Sequence, residues 1–172
     1  MPSGRTHDLI TFAISPVAFV AAMLYWGHWL VALIAAGATI FAGLMFGPDL
    51  DLYSNQYKRW GPLRFIWYPY MVAFSHRSRL SHGIVLSTVF RVLYFIAVTT
   101  VLATVILYAR QRYLYGVETT WSAEFTRVSL DLGVFWQRTD KQYFWAAFGG
   151  LWLGATAHTV SDVLWSAFKK IW

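Results

Sequence analysis

Four long apolar stretches dominate the chain, at about 9–26 (LITFAISPVAFVAAMLYW), 29–46 (WLVALIAAGATIFAGLMF), 83–108 and 143–168. Each approaches or exceeds the roughly 20 residues that an α-helix needs to cross the hydrocarbon core. The pattern predicts an all-α polytopic membrane protein, a bundle of four transmembrane helices in a single integral-membrane domain, 1–172, with no internal repeat. Pro16 is expected to bend the first helix without ending it. Only Gly27 and His28 separate the first two stretches, which predicts a tight antiparallel hairpin. Ala35, Ala36, Gly37, Ala38 and Gly43 in the second stretch, with Gly149, Gly150 and Gly154 in the fourth, predict close helix–helix approach. Between the third and fourth stretches, Trp121, Phe125, Val128, Leu132 and Phe135 recur at helical spacing, with Glu124, Arg127 and Asp131 between them. This predicts an interfacial amphipathic helix at about 121–136.

Composition agrees with the membrane reading. Of 172 residues, 58% are hydrophobic, 19% aromatic and only 13% charged, and the aromatic load suits membrane–water interfaces. The net charge of +6 has no soluble basic domain to carry nucleic-acid binding, so it reports orientation and contact with anionic lipid headgroups. The first stretch follows Arg5 much as a signal peptide would; the second span at once after it, with His7 and Asp8 beside it, argues against its removal. There is no cysteine. Disulfides, thiolate metal sites and a cysteine nucleophile are excluded, and any metal must be held by His, Asp or Glu.

Four spans place the N-terminus, the 47–82 segment and the C-terminus on one side. That side carries Arg5, Lys58, Arg59, Arg64, Arg77, Arg79, Lys169 and Lys170, against Arg110, Arg112, Arg127, Arg138 and Lys141 on the other. The positive-inside bias makes the first side cytoplasmic. The unusual polar groups gather there: His7 and Asp8 before the first span, Asp49 and Asp51 in GPDLD, His76 and His82 in SHRSRLSHG, and His158 and Asp162 in AHTVSD. At 1.5 Å per residue, Asp162 lies about 9 Å and His158 about 15 Å inside the end of the fourth helix, four apart and on one face. Arg91 sits at comparable depth, as counter-charge for the aspartates or clamp for an anionic substrate. Ionisable groups at such depth are costly without partners and mark function.

Each element also has a plainer explanation. His158 and Asp162 could satisfy one another as a packing pair; GPDLD alone is helix-stop and turn chemistry; His76 and His82 could be interfacial residues. His28, between Trp26 and Trp29 on the opposite side, reads as interfacial. The convergence of four of the five histidines and four of the six aspartates at the ends of four helices favours a site. Imidazole with carboxylate suits Zn, Mn, Fe or Ni. His7, Asp49, Asp51, His76, His82, His158 and Asp162 are the candidate ligands, enough for two metals, or for one with outer carboxylates orienting its histidines.

The N-terminus MPSGRTHD with GPDLD, SHRSRLSHG and AHTVSD, in that order, resembles a family of uncharacterised metal-binding membrane proteins of cyanobacterial type. More distantly it resembles bacterial inner-membrane proteins predicted to be metal-dependent hydrolases, with an early His, P-D-x-D, H-R-x-x-x-H-S and a final His four before an Asp. The resemblance implies the same seven residues as the site. It departs from the distant pattern at the second loop histidine, where Ser81 and Gly83 flank His82 and the two histidines stand six apart.

The expected function is a membrane-embedded protein with one or two divalent ions per chain, Zn favoured, hydrolysing a lipid or lipid-linked phosphate or ester. Asp49 or Asp51 would serve as ligand or base, and Arg77, Arg79 or Arg91 would hold the anion. The alternatives are a non-enzymatic metal binder or a metal-stabilised subunit of a membrane complex, and, last, a transporter, for which four spans without repeat symmetry offer little. Expected partners are membrane lipids, with other membrane subunits or a second copy next.

Overall fold

A computed structural model describes residues 4–74 and 83–171. Among the described residues the chain is helical with no strand. It forms two compact units, Met1–Arg91 with Lys141–Trp172, and Val92–Asp140.

In the first unit, α1 (Gly4–Trp26) and α2 (Trp29–Leu44) form the expected hairpin. Gly27 turns the chain at φ 65°, a left-handed conformation that glycine adopts without strain. His28 caps α2, its Nδ1 accepting from the Leu30 N–H at 3.2 Å, while its ring meets Tyr143 edge-on. Pro16 lies inside a continuous α1. After α2 come a 3-10 turn at Pro48–Asp51, the single helical turn α3 (Asn55–Lys58), a 3-10 stretch at Gly61–Trp67 and the short α4 (Tyr68–Ala73). The aromatic residues of this segment build its interior: Phe46, Trp67 and Tyr70 are buried, and Trp67 meets Phe46, Trp60 and Tyr70 edge-on.

Helix α5 (Leu86–Ala109) begins in this unit and continues in the other. The last helix of the first unit, α7, is a single 31-residue helix, Lys141–Ile171. It packs on α2 and touches α1. Gly150 and Gly154 allow this: a Cβ at Gly150 would overlap the Ala35 carbonyl, and one at Gly154 the Thr39 carbonyl. Gly43 does the same for α1, since a Cβ there would overlap Thr11. Gly37 and Gly149 face open space, so the small-residue packing expected of them falls to their neighbours.

In the second unit, α5 ends in a π-helical turn, Arg110–Leu114, and Gly116 at φ 63° leads to α6 (Trp121–Arg138). Thr120 caps α6 by accepting from the Ala123 N–H at 3.2 Å. Glu124 and Val128 are buried, whereas Phe125, Leu132 and Phe135 are exposed.

Among the described residues three helices are long and apolar enough to cross a membrane, Gly4–Trp26, Trp29–Asp51 and Leu86–Leu114. Helix α7, over the expected fourth span, is as continuous as the others but outside that set. Its cluster of His158, Thr159, Ser161 and Asp162 lowers the hydropathy of its second half.

Candidate metal centre

The end of α2 sets up the site. The last carbonyls of a helix lack partners within it, and here three side chains from one short stretch take them. Gln56 Nε2 donates to the Gly43 carbonyl at 3.0 Å, Arg59 Nη1 to Leu44 at 3.0 Å and Trp60 Nε1 to Met45 at 2.8 Å. Gln56 also accepts from the Asp49 N–H at 3.2 Å, and Ser54 Oγ donates to the Asp49 carbonyl at 2.8 Å. Gly47 makes room, since a Cβ there would overlap the Gln56 amide. The PDLD turn is thus fixed against α2, and Asp49 faces α7.

His7 comes from the first turns of α1, held where Thr11 nests against Gly43 and donates to the His7 carbonyl at 2.9 Å. His158 and Asp162 come from α7. The two imidazoles stack with centroids 3.9 Å apart at 18°. His7 Nε2 lies 3.4 Å from Asp162 Oδ1; His158 Nε2 lies 3.6 Å from Asp162 Oδ2 and 3.2 Å from Asp49 Oδ2. Ligand atoms of His7, His158 and Asp162 all fall within 4.8 Å of one another, in buried positions.

These groups fit a divalent ion. Ligands at about 2.0–2.1 Å around a tetrahedral ion stand about 3.3 Å apart, near the observed spacings. Both carboxylate oxygens of Asp162 are buried, with the His7 and His158 Nε2 atoms at 3.4 and 3.6 Å and no well-formed hydrogen bond among the described residues, a costly state for a carboxylate unless a cation takes its lone pairs. The His7 tautomer suits the task. Ser161 Oγ donates its own proton to the His158 carbonyl at 2.8 Å, so at 3.0 Å from His7 Nδ1 it accepts the ring N–H. The Nε2 lone pair is then left facing Asp162. His158 differs. Gln56 Nε2 lies 3.4 Å from its Nδ1 while Gln56 Oε1 is engaged by Asp49, which puts the ring proton on Nε2, towards Asp49. An ion at His158 Nε2 must therefore shift that proton, and Gln56 must turn to receive it.

Of the seven expected ligands, the structure brings together His7, Asp49, His158 and Asp162. Asp51 is buried and is not among the residues that line the cleft with them. His76 and His82, with Arg77 and Arg79, lie outside the described residues. Arg91 is fully buried, donates to Thr88 Oγ1 at 3.2 Å, and has Tyr70, Asp51 and Asp49 as its electrostatic neighbours. It does not line the cleft with the imidazoles. Sequence reasoning missed Gln56, Ser161 and Arg59. Ser161 stands directly before Asp162 and could have been suspected; Gln56 and Arg59 are joined to the site only through the turn that folds them back on α2.

A cleft of about 160 Å³ opens above the site, with His7, Asp49, His158 and Asp162 along its lining and Gly4, Asp8, Asn55 and Arg59 around it. The model of the family described as uncharacterized metal-binding protein (DUF2227) matches residues 2–172. The chain belongs to this family. No curated protein and no solved structure matches it. The family's description as metal-binding agrees with the donor set that α1, the PDLD turn and α7 assemble, all of it within the matched residues.

Proposed function

We propose that this DUF2227 protein is an integral membrane protein of four spans whose site, on the cytoplasmic side, holds a divalent transition-metal ion, Zn by preference, and hydrolyses a phosphate or ester of a lipid or lipid-linked substrate. One observation carries the reading: two imidazoles and one carboxylate converge beneath an open cleft. Three protein ligands with an open position are the pattern of catalytic ions, whereas structural sites are closed by four. An ion bound there supplies Lewis acidity and lowers the pKa of water in contact with it. The chain's own residues do the rest. Asp49, partly buried at 3.2 Å from His158 Nε2, is placed to accept a proton from attacking water, Ser161 orients the His7 imidazole, and Gln56, once turned, would receive the His158 Nδ1–H. The basic residues of this face and the three apolar helices support the orientation and the membrane setting.

A second reading rests on the same Asp49. Drawn in as a fourth ligand, it would close the shell and make a non-enzymatic metal-binding site. Asp49→Asn separates the two. With detergent-purified protein and a panel of lipid phosphates and esters, the hydrolase reading expects metal-dependent turnover that falls at least about 100-fold in Asp49→Asn while bound metal is retained. No turnover on any substrate, with metal lost in the variant, would favour the closed site.

A further inference from the structure

The cleft has a rim as well as a floor, and the rim carries a charge pair that the metal chemistry leaves unused. Arg59 faces Asp8 through both guanidinium nitrogens, Nη1 to Oδ1 at 3.0 Å and Nη2 to Oδ2 at 2.6 Å, and Nη1 also donates to the Leu44 carbonyl at 3.0 Å. Both side chains line the same cleft as His7, Asp49, His158 and Asp162. Both are partly open to solvent, at 34% and 27%. Arg59 is the one Lys or Arg among the described residues lining this cleft.

A planar guanidinium presents parallel N–H groups that match a carboxylate or a phosphoryl group equally well. In this structure the carboxylate of Asp8 fills that place. With a divalent ion on the floor, its charge is balanced by Asp49 and Asp162, and Arg59 is balanced by Asp8; an arriving anion finds a free cationic fork only by taking the position of Asp8. The Leu44 carbonyl keeps the guanidinium anchored during that exchange. The sequence places Asp8 one residue after His7, so the placeholder and an imidazole ligand come from the same turn of α1.

We propose that Arg59 is the anion-recognition residue of the cleft, binding phosphoryl oxygens of the ligand, and that Asp8 is the internal carboxylate which this anion displaces. The inference rests on the reading that a metal occupies the floor, and it names the ligand class for that site: a phosphoryl group, free or on a lipid headgroup. Asp8 then sets the threshold for binding, because its departure opposes the anion's arrival.

The test uses the full chain, metal-loaded, in nanodiscs, with wild type, Arg59→Lys and Asp8→Asn compared. Inorganic phosphate is titrated calorimetrically in neutral-lipid discs, and a second arm measures metal-dependent affinity for phosphatidic acid included in the discs. Metal content is determined on every sample. The expected result is opposite shifts at unchanged metal content. Arg59→Lys weakens binding about ten-fold or more through loss of the bidentate fork, and Asp8→Asn strengthens it about ten-fold by freeing the fork. A gain of affinity cannot arise from misfolding. Response to phosphate assigns a soluble ligand, and response to phosphatidic acid alone assigns a headgroup. Equal affinities in all three proteins, weaker binding in Asp8→Asn, or no anion binding by metal-loaded wild type would overturn the proposal. Wild type that takes up no metal would overturn the metal reading instead, and opposite variant shifts in the same titrations would still support Arg59.

Discussion

Ser161 connects two helices through one hydroxyl. Its proton goes to the carbonyl one turn back in α7, and its lone pair receives the His7 Nδ1–H from α1. Removing that acceptor leaves the His7 ring free to rotate and to exchange tautomers, so Ser161→Ala should weaken metal affinity about ten-fold with little change in fold. Competition with a chromophoric chelator reads this directly; affinity equal to wild type would show that His7 is oriented by packing alone. Gln56 works at the same scale in the other direction. Its amide is fastened to Gly43 and Asp49, and the group it offers His158 has to turn before an ion can sit at Nε2. The two imidazoles are therefore unequal, one prepared for an ion and one coupled to a rearrangement.

At the level of elements, the site depends on how closely α7 approaches α2. Asp162 and His158 reach the imidazole of α1 and the PDLD turn because Gly150 and Gly154 set the α7 backbone against Ala35 and Thr39. Gly154→Val inserts a branched side chain against the Thr39 carbonyl and should destabilise the protein by about 1–3 kcal/mol, seen as a lower thermal transition in detergent, with metal lost as well. Gly149→Ala, facing open space, is the control and should leave both unchanged. The spacing of Gly150 and Gly154 is legible in the chain, as are the α1–α2 hairpin at Gly27 and the amphipathic helix, which runs over Trp121–Arg138. The caps are less so. His28 reads as an interfacial residue, and its capping of α2 is a further role that residue type alone does not announce, because capping depends on backbone geometry. The aromatic load of the whole chain suits membrane–water interfaces, but nothing in the pattern marks Trp67 and Tyr70 as the buried residues of the 47–74 segment.

For the molecule as a whole, the donors of the site are separated by as much as 155 positions, from His7 to Asp162, and the chain pattern placed them in a wider group with Asp51, His76 and His82. It could not rank them. Asp49 and Asp51 are two apart in one 3-10 turn, yet it is Asp49 that meets His158 and lines the cleft. Arg59 looks like one of many headgroup-facing basic residues until the turn after α2 carries it back to the cleft. Residues far apart in the chain that share one ion should also share one fate in metal binding when any of them is lost. Metal binding by His7, His158 and Asp162 is read out by elemental analysis of protein purified without chelators. About one divalent transition-metal ion per chain is expected, lost in His7→Ala and in His158→Ala. Wild-type protein that carries no metal after such purification, or variants that keep it in full, would contradict it.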